Sequence, residues 1–329
     1  MVTPFERRSV LRLACGAALA PLLGPVWAQS IPRGGPILIL VGYPAGGGTD
    51  VMARLIADRL KDRLGTQVLV ENKAGAGGAL AGAALRDAPA DGSVIMYAPS
   101  SATIAQKAMK KSMPFDLDKD LATIALVGTV CSVFAVSPTL GVRSLPEYVE
   151  WLRRNPARAS FGTSAIGSAN HFFGMELGRA IGIPLEPVGY KGAAPLVADL
   201  SAGHAPAGTG GLTDYLAHHR NDKLRIIAIS APKRAAAAPE LPSIAELGHP
   251  NLAKESFYGF YASSQMSPAL VEAWNRELRA VVEEPDMRQR LTGLGLEVQT
   301  STPQEFAERQ ARDYLAFVAS MKAAGIEPE

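Results

Sequence analysis

The sequence predicts an α/β protein of two lobes, joined by two extended crossings and enclosing a central cleft. Three observations carry this. Short apolar runs alternate with helix-period segments through the first half of the chain, as parallel strands covered by helices require. Two stretches, 124–136 and 256–261, read as passages from one lobe to the other and back, the first being longer than a strand in one small lobe needs. The 329 residues also exceed what one ordinary core organises.

The first 28 residues read as an export signal. Arg7 and Arg8 precede the apolar run 11–26, and Val26 and Ala28 are the small residues a signal peptidase reads, so cleavage is expected after Ala28. Arg12, Pro21 and Pro25 interrupt the run, which falls short of the roughly 20 apolar residues of a membrane span. Residues 6–12 also resemble a twin-arginine motif, and paired arginines are common in ordinary secretory signals, so both export routes stay open. Cys15 leaves with this segment, which removes any intramolecular disulfide. Cys131, in the strand-like run 127–136, reads as a buried, inert thiol.

In chain order the first lobe begins with a strand at 37–41. A helix follows at 50–64, with Met52, Leu55, Ile56, Leu60 and Leu64 on one face and Gly65 at its end. A strand at 68–70, a second glycine loop at 71–78, a helix at 79–86 and a strand at 94–97 come next, the last followed by Ser100 and Ser101. Beyond the first crossing lie a helix at 145–153, a strand ending at 160–162, a polar loop at 162–171 and a helix at 172–180. A strand at 185–188, a turn at 189–192, a helix through Leu200 and a strand at 224–230 complete the second lobe. Helices at 268–282, 285–291 and 303–323, with a short strand at 296–298, finish the chain. The expected division is 1–28 signal, 29–127 plus 255–329 first lobe, and 128–254 second lobe.

Charged residues are 19% and the net charge is +2, which excludes the basic footprint of a nucleic-acid binder. The loop Tyr43, Pro44, Ala45, Gly46, Gly47, Gly48, Thr49, Asp50 lacks the Lys-Ser/Thr pair of a phosphate-binding loop. The loop holding Gly75, Ala76 and Gly77 has Leu80 where a dinucleotide fingerprint needs its third small residue. Glycines can serve tight turns alone. Four such loops precede helices, however, at the strand ends where open α/β sheets bind ligands, and none carries arginine. Free N–H groups and the positive helix end make such a loop an anion site. Asp50 reads most simply as an N-cap.

A hydrolase is the rival. Gly162-Thr-Ser164-Ala-Ile-Gly167 resembles a nucleophile elbow but sets its second glycine one residue too far, and Ser164 with His171 lacks an orienting carboxylate. The histidines His204, His218, His219 and His249 show no metal-ligand spacing and read as surface residues. His171, beside Ser168 and Asn170, either caps a helix or reaches the cleft. Tyr43 and Tyr190 sit at glycine turns and could offer a hydroxyl and a flat wall.

With these motifs, namely 43–50 followed by Ala53-Arg54, 70–78, 90–92, 162–171, 190–192 and 241–246, the chain resembles the Bug, or TctC-like, solute-binding proteins of tripartite tricarboxylate transport systems. The resemblance covers nearly the whole mature chain. It implies a two-lobed periplasmic binding protein fold of type II, no enzymatic activity, no cofactor and no metal. It implies a ligand carboxylate held at the first glycine loop by amides and ordered waters. The second lobe would add Ser164, Gly167 and Ser168, and the turn Tyr190, Lys191, Gly192. Expected partners are a small organic acid and membrane permease subunits, for a monomer that binds no nucleic acid. A periplasmic sensor would share the same fold and pocket. One departure stands out: where the family usually shows Gly-Gln-Val-Asp, this chain has Gly203-His204-Ala205-Pro206, which removes an acid and an amide donor from that wall.

Overall fold

The computed structural model describes residues 31, 32, 34–323 and 325–328, so the export-signal reading of 1–28 lies outside the described residues. The first lobe opens with β1 (Ile37–Val41), α1 (Gly48–Leu64), β2 (Val68–Asn72), α2 (Ala79–Arg86) and β3 (Val94–Pro99). Helix α1 stops where Gly65 turns left-handed (φ 66°) and its N–H reaches Lys61 O. Asp50 in its first turn and Lys61 and Arg63 in its last complement the helix dipole. Met52, Ile56, Leu60 and Leu64 are buried as their spacing requires, whereas Leu55 is only half-buried. Each fully buried side chain of this size contributes about 1.5–3 kcal/mol.

The short helices α3 (Ile104–Met109) and α4 (Leu117–Asp120) lead into β4 (Leu121–Val136), which the two sheets share. The second sheet is built with α5 (Leu145–Arg154), β5 (Ser160–Thr163), α6 (Ala169–Ala180), β6 (Glu186–Gly189), α7 (Ala193–Ala202), β7 (Ala207–Gly211), α8 (Leu212–Arg220) and β8 (Arg225–Ile229). The chain returns through β9 (Glu255–Ser263) and ends with α9 (Pro268–Val282), α10 (Pro285–Gly293), β10 (Glu297–Val298) and α11 (Pro303–Ala323). Trp274 on α9 is fully buried and donates its ring N–H to Gly92 O at 3.1 Å, which fixes the Asp91-Gly92 turn against the core.

Strands run in the order β2-β1-β3-β9-β4-β7-β5-β6, with β8 and β10 also paired to β4. Pairing is parallel among β2, β1 and β3 and among β6, β5 and β7, and antiparallel where β9 and β4 join the two groups. Leu121 to Cys131 pair with β9; from Ser132 onward β4 pairs instead with β7 and β8. Strand β9 pairs with β4 from Glu255 to Ser263 and with β3 only from Tyr258 to Tyr261, so the chain enters the first sheet within the stretch 256–261.

Among the described residues, four elements escape the sequence pattern: α3, α4, β7 and α8. Strand β7 is Ala-Gly-Thr-Gly-Gly, poor in side chains that favour strands, yet every residue is buried. Its glycines admit neighbours: a Cβ at Gly208 would lie 3.1 Å from Leu200 Cδ1, and one at Gly210 would overlap the Tyr215 ring. Helix α6 begins at Ala169, earlier than expected, because Ser168 Oγ accepts the His171 N–H at 3.3 Å.

Candidate functional site

Four strand-to-helix junctions meet at one cavity of about 140 Å³. Gly47, Gly48 and Thr49 bring the head of α1; Ser168, Ala169 and Asn170 that of α6; Gly192, Ala193 and Ala194 that of α7; Gly211 and Asp214 that of α8. Every helix start leaves backbone N–H groups without an intrahelical acceptor and carries a partial positive charge. The cavity therefore collects donors from both sheets.

At the first junction Asn72 Nδ2 donates to Tyr43 O at 3.0 Å, and the Tyr43 hydroxyl shares a 2.8 Å hydrogen bond with Ser101 Oγ. Burial, more than this partner or the nearby Asp214, sets the direction at Tyr43, whose pKa is pushed up to about 12 and whose hydroxyl stays neutral. Tyr43, Pro44, Ala45 and Ser101 line the cavity. Among the described residues, the N–H groups of Ala45, Gly47 and Thr49 have no protein acceptor. Two others are taken: Gly46 N–H by Asp50 Oδ2 at 2.9 Å, and Gly48 N–H by Asp214 Oδ1 at 2.8 Å.

Asp50 is the third residue of α1, not its N-cap, and Gly47 holds that position. Its carboxylate reaches back to Gly46 and also accepts from Arg54 Nε at 3.0 Å and Asn72 Nδ2 at 2.9 Å. Burial alone would raise its pKa, but Arg54, Gly46 and Asn72 together hold it below the ordinary value. Asp50 is consumed in shaping the loop and does not line the cavity, and neither does Gly46.

In the second lobe Ser164, Ser168, Lys191 and Gly192 line the cavity. Gly192 N–H donates to Ser164 O at 3.1 Å, tying two junctions together. Gly167 and His171 stand behind this wall: the Gly167 N–H donates to His171 Nδ1 at 3.1 Å. His171 is buried, which lowers its pKa, and its Nε2 has no partner among the described residues. It thus braces the loop, and Ser168 Oγ donates to Ala165 O at 2.7 Å. Tyr190 turns away and donates to Asp199 Oδ2 at 2.7 Å, with burial foremost in pushing its pKa up to about 12.

Gly75, Ala76 and Gly77 lie away from the cavity. Their loop is glycine-rich for packing, because a Cβ at Gly42 would come within 2.6 Å of Gly78 Cα, and one at Gly78 would press on Ala102. Ser100 lines a separate cavity with Phe172 and Phe317. Pro206 does not line the site, and its carbonyl accepts the Ser137 N–H at 3.0 Å. His219 is half-buried rather than on the surface, its Nδ1 accepting the Ile226 N–H at 3.3 Å. No group of three or more His, Cys, Asp or Glu able to hold a metal occurs among the described residues.

Sequence reasoning did not assign several wall residues to the site: Asn170, Ser132, Asp214, Ser256 and Tyr258. Asn170 Oδ1 accepts from Ser132 Oγ at 2.7 Å, joining α6 to β4. Tyr258 OH lies 3.3 Å from Thr49 Oγ1. An aspartate three residues beyond a Gly-Gly pair was the available signal for Asp214, once a helix was assigned there.

Two α/β lobes sharing a strand, with helix starts from both ringing an internal cavity, define a binding protein of the periplasmic class. The chain belongs to the TctC family, the tripartite tricarboxylate transporter family receptors, whose model matches residues 52–318. It is similar to protein BugT of Bordetella pertussis, 31% identical over 289 residues that cover 88% of each chain. Among solved structures it is similar to the periplasmic binding protein BugD, at 26% identity and a TM-score of 0.83, covering 91% of this chain and 100% of that one. It is also similar to an R. palustris protein solved with adipate, at 26% identity and a TM-score of 0.84, covering 89% and 98%. The family is one of receptors, not of enzymes.

Proposed function

We propose that this chain is exported to the periplasm, captures a small organic carboxylate between its lobes and presents it to the permease subunits of a tripartite tricarboxylate-type transporter. The observation that carries the reading is the set of unpaired N–H groups at Ala45, Gly47 and Thr49, which faces helix starts of the second lobe across one cavity. Such donors neutralise a carboxylate without a cationic side chain. The similar R. palustris protein holding adipate supports the same ligand class. In this reading Tyr43, Ser101, Ser164, Ser168, Lys191 and Gly192 complete the contacts. The lobes are 29–127 with 255–329, and 128–254; the mature monomer starts after Ala28.

A thermal-shift panel of mono- and dicarboxylates tests this. Ligand at 100 times its Kd adds about 2.7 kcal/mol of stability. No shift with any carboxylate would overturn the proposal. N-terminal sequencing of exported protein checks the cleavage position.

A further inference from the structure

Among the described residues, two charged side chains line the cavity, Lys191 and Asp214, and they differ in setting. Lys191 is exposed, whereas Asp214 is half-buried in the first turn of α8. Its Oδ1 already occupies the Gly48 amide at 2.8 Å, a donor at the head of α1 that an incoming carboxylate would otherwise meet. The close approach is built in: a Cβ at Gly48 would lie 3.0 Å from Asp214 Oδ1 and 2.8 Å from Thr213 Oγ1. Asp214 Oδ2 has no hydrogen-bond partner among the described residues, and Asp214 forms no ion pair there. Asp50 on the same loop is the contrast, its charge being matched by Arg54.

We propose that Asp214 makes this site select a ligand that carries a hydrogen-bond donor, above all an ammonium, together with its carboxylate, in preference to a dicarboxylate. The inference rests on the reading of the cavity as a carboxylate site and names the second half of the ligand. A half-buried carboxylate oxygen that faces the cavity without a protein partner offers a charged acceptor to a donor on the ligand, and such charge-assisted bonds are the stronger kind. A second ligand carboxylate beside it would add like-charge repulsion where water screens poorly. Burial raises the Asp214 pKa, against the opposing pull of the Gly48 N–H and of nearby His218. The amides at Ala45, Gly47 and Thr49 remain for the ligand's own carboxylate.

Calorimetric titration at pH 7.5 with length-matched probes tests this: 4-aminobutanoate against succinate, and 6-aminohexanoate against adipate. In at least one pair the amino acid is expected to bind at least about tenfold tighter, the effect of one hydrogen bond to a charged group. Asp214→Asn, which keeps an acceptor for Gly48, is expected to weaken the amino acid by a similar factor and to strengthen the diacid. Asp214→Glu keeps the charge and is expected to retain the direction of the preference; melting curves establish that each variant is folded. Diacids binding tighter to the wild type, or a preference untouched by Asp214→Asn, overturn the inference and leave the carboxylate reading standing. Failure of all four probes, with no shift across the carboxylate panel, sinks that reading and this inference together.

Discussion

The Gly167 N–H donates to His171 Nδ1 at 3.1 Å, so the loop behind the second-lobe wall is held by a neutral imidazole. Protonation would turn Nδ1 from acceptor into donor and break this bond. Burial lowers the pKa from its ordinary 6.5. Stability conferred by the neutral ring is thus complete above that value and lost as pH falls from there through the folded pKa. Urea midpoints of wild type and His171→Gln, measured from pH 8 to pH 5, are expected to differ most at pH 8 and to converge toward acid. A gap that widens toward acid would contradict the assignment.

Gly48→Ala places a methyl group against Thr213 and Asp214. The variant is expected to lose about 1–3 kcal/mol of stability, as over-packed contacts do, and to bind ligand more weakly. Chemical denaturation and calorimetry read the two effects separately.

At Gly42, whose virtual Cβ falls 2.6 Å from Gly78 Cα, alanine is expected to cost a similar 1–3 kcal/mol, roughly, while leaving ligand affinity per folded molecule unchanged. Loss of affinity in folded Gly42→Ala protein would mean that the second glycine loop reaches the ligand after all.

Asp50→Asn removes charge-assisted bonds to Arg54 and the Gly46 N–H, at an expected cost of about 1.5–3 kcal/mol at pH 7. Because the folded pKa lies below the ordinary 3.8, this contribution is full above 3.8 and lost as pH falls through the folded value. Unfolding curves at pH 7 and pH 3 should show the gap between variant and wild type narrowing in acid.

Cys131 is buried, and its thiol is pushed up to about 12, chiefly by burial and then by Glu255. Iodoacetamide at pH 8 is expected to leave the native protein unmodified and to alkylate it in guanidinium, as mass spectrometry would report.

The two-lobed architecture was legible because burial on both faces forces continuous apolar strands, and helix α1 announces itself by Met52, Ile56 and Leu60. The first glycine loop and the loops at Ser164 and Gly192 were legible as turns at strand ends, and the structure brings them to one cavity. The loop at Gly75 looked alike in sequence but serves backbone packing, a distinction that depends on Ala102 and Gln106 some 25 residues away, roughly, and so on tertiary contact. Strand β7 was hidden because its glycines are chosen by Leu196, Leu200 and Tyr215, and with it went α8 and Asp214. Asp50 was recognised as a capping carboxylate but assigned three positions too early, since its reach back to Gly46 depends on the fold of the loop.

Cys131 and Ser132 mark the place where β4 changes partners, and both also form part of the cavity wall. On the proposed reading a bound molecule rests beside that change of partners, from which the sheet runs out to edge strands β2 and β6. In that reading, small adjustments of contact at this point would be magnified at the edges, and the outer surface would then report whether the interior is filled.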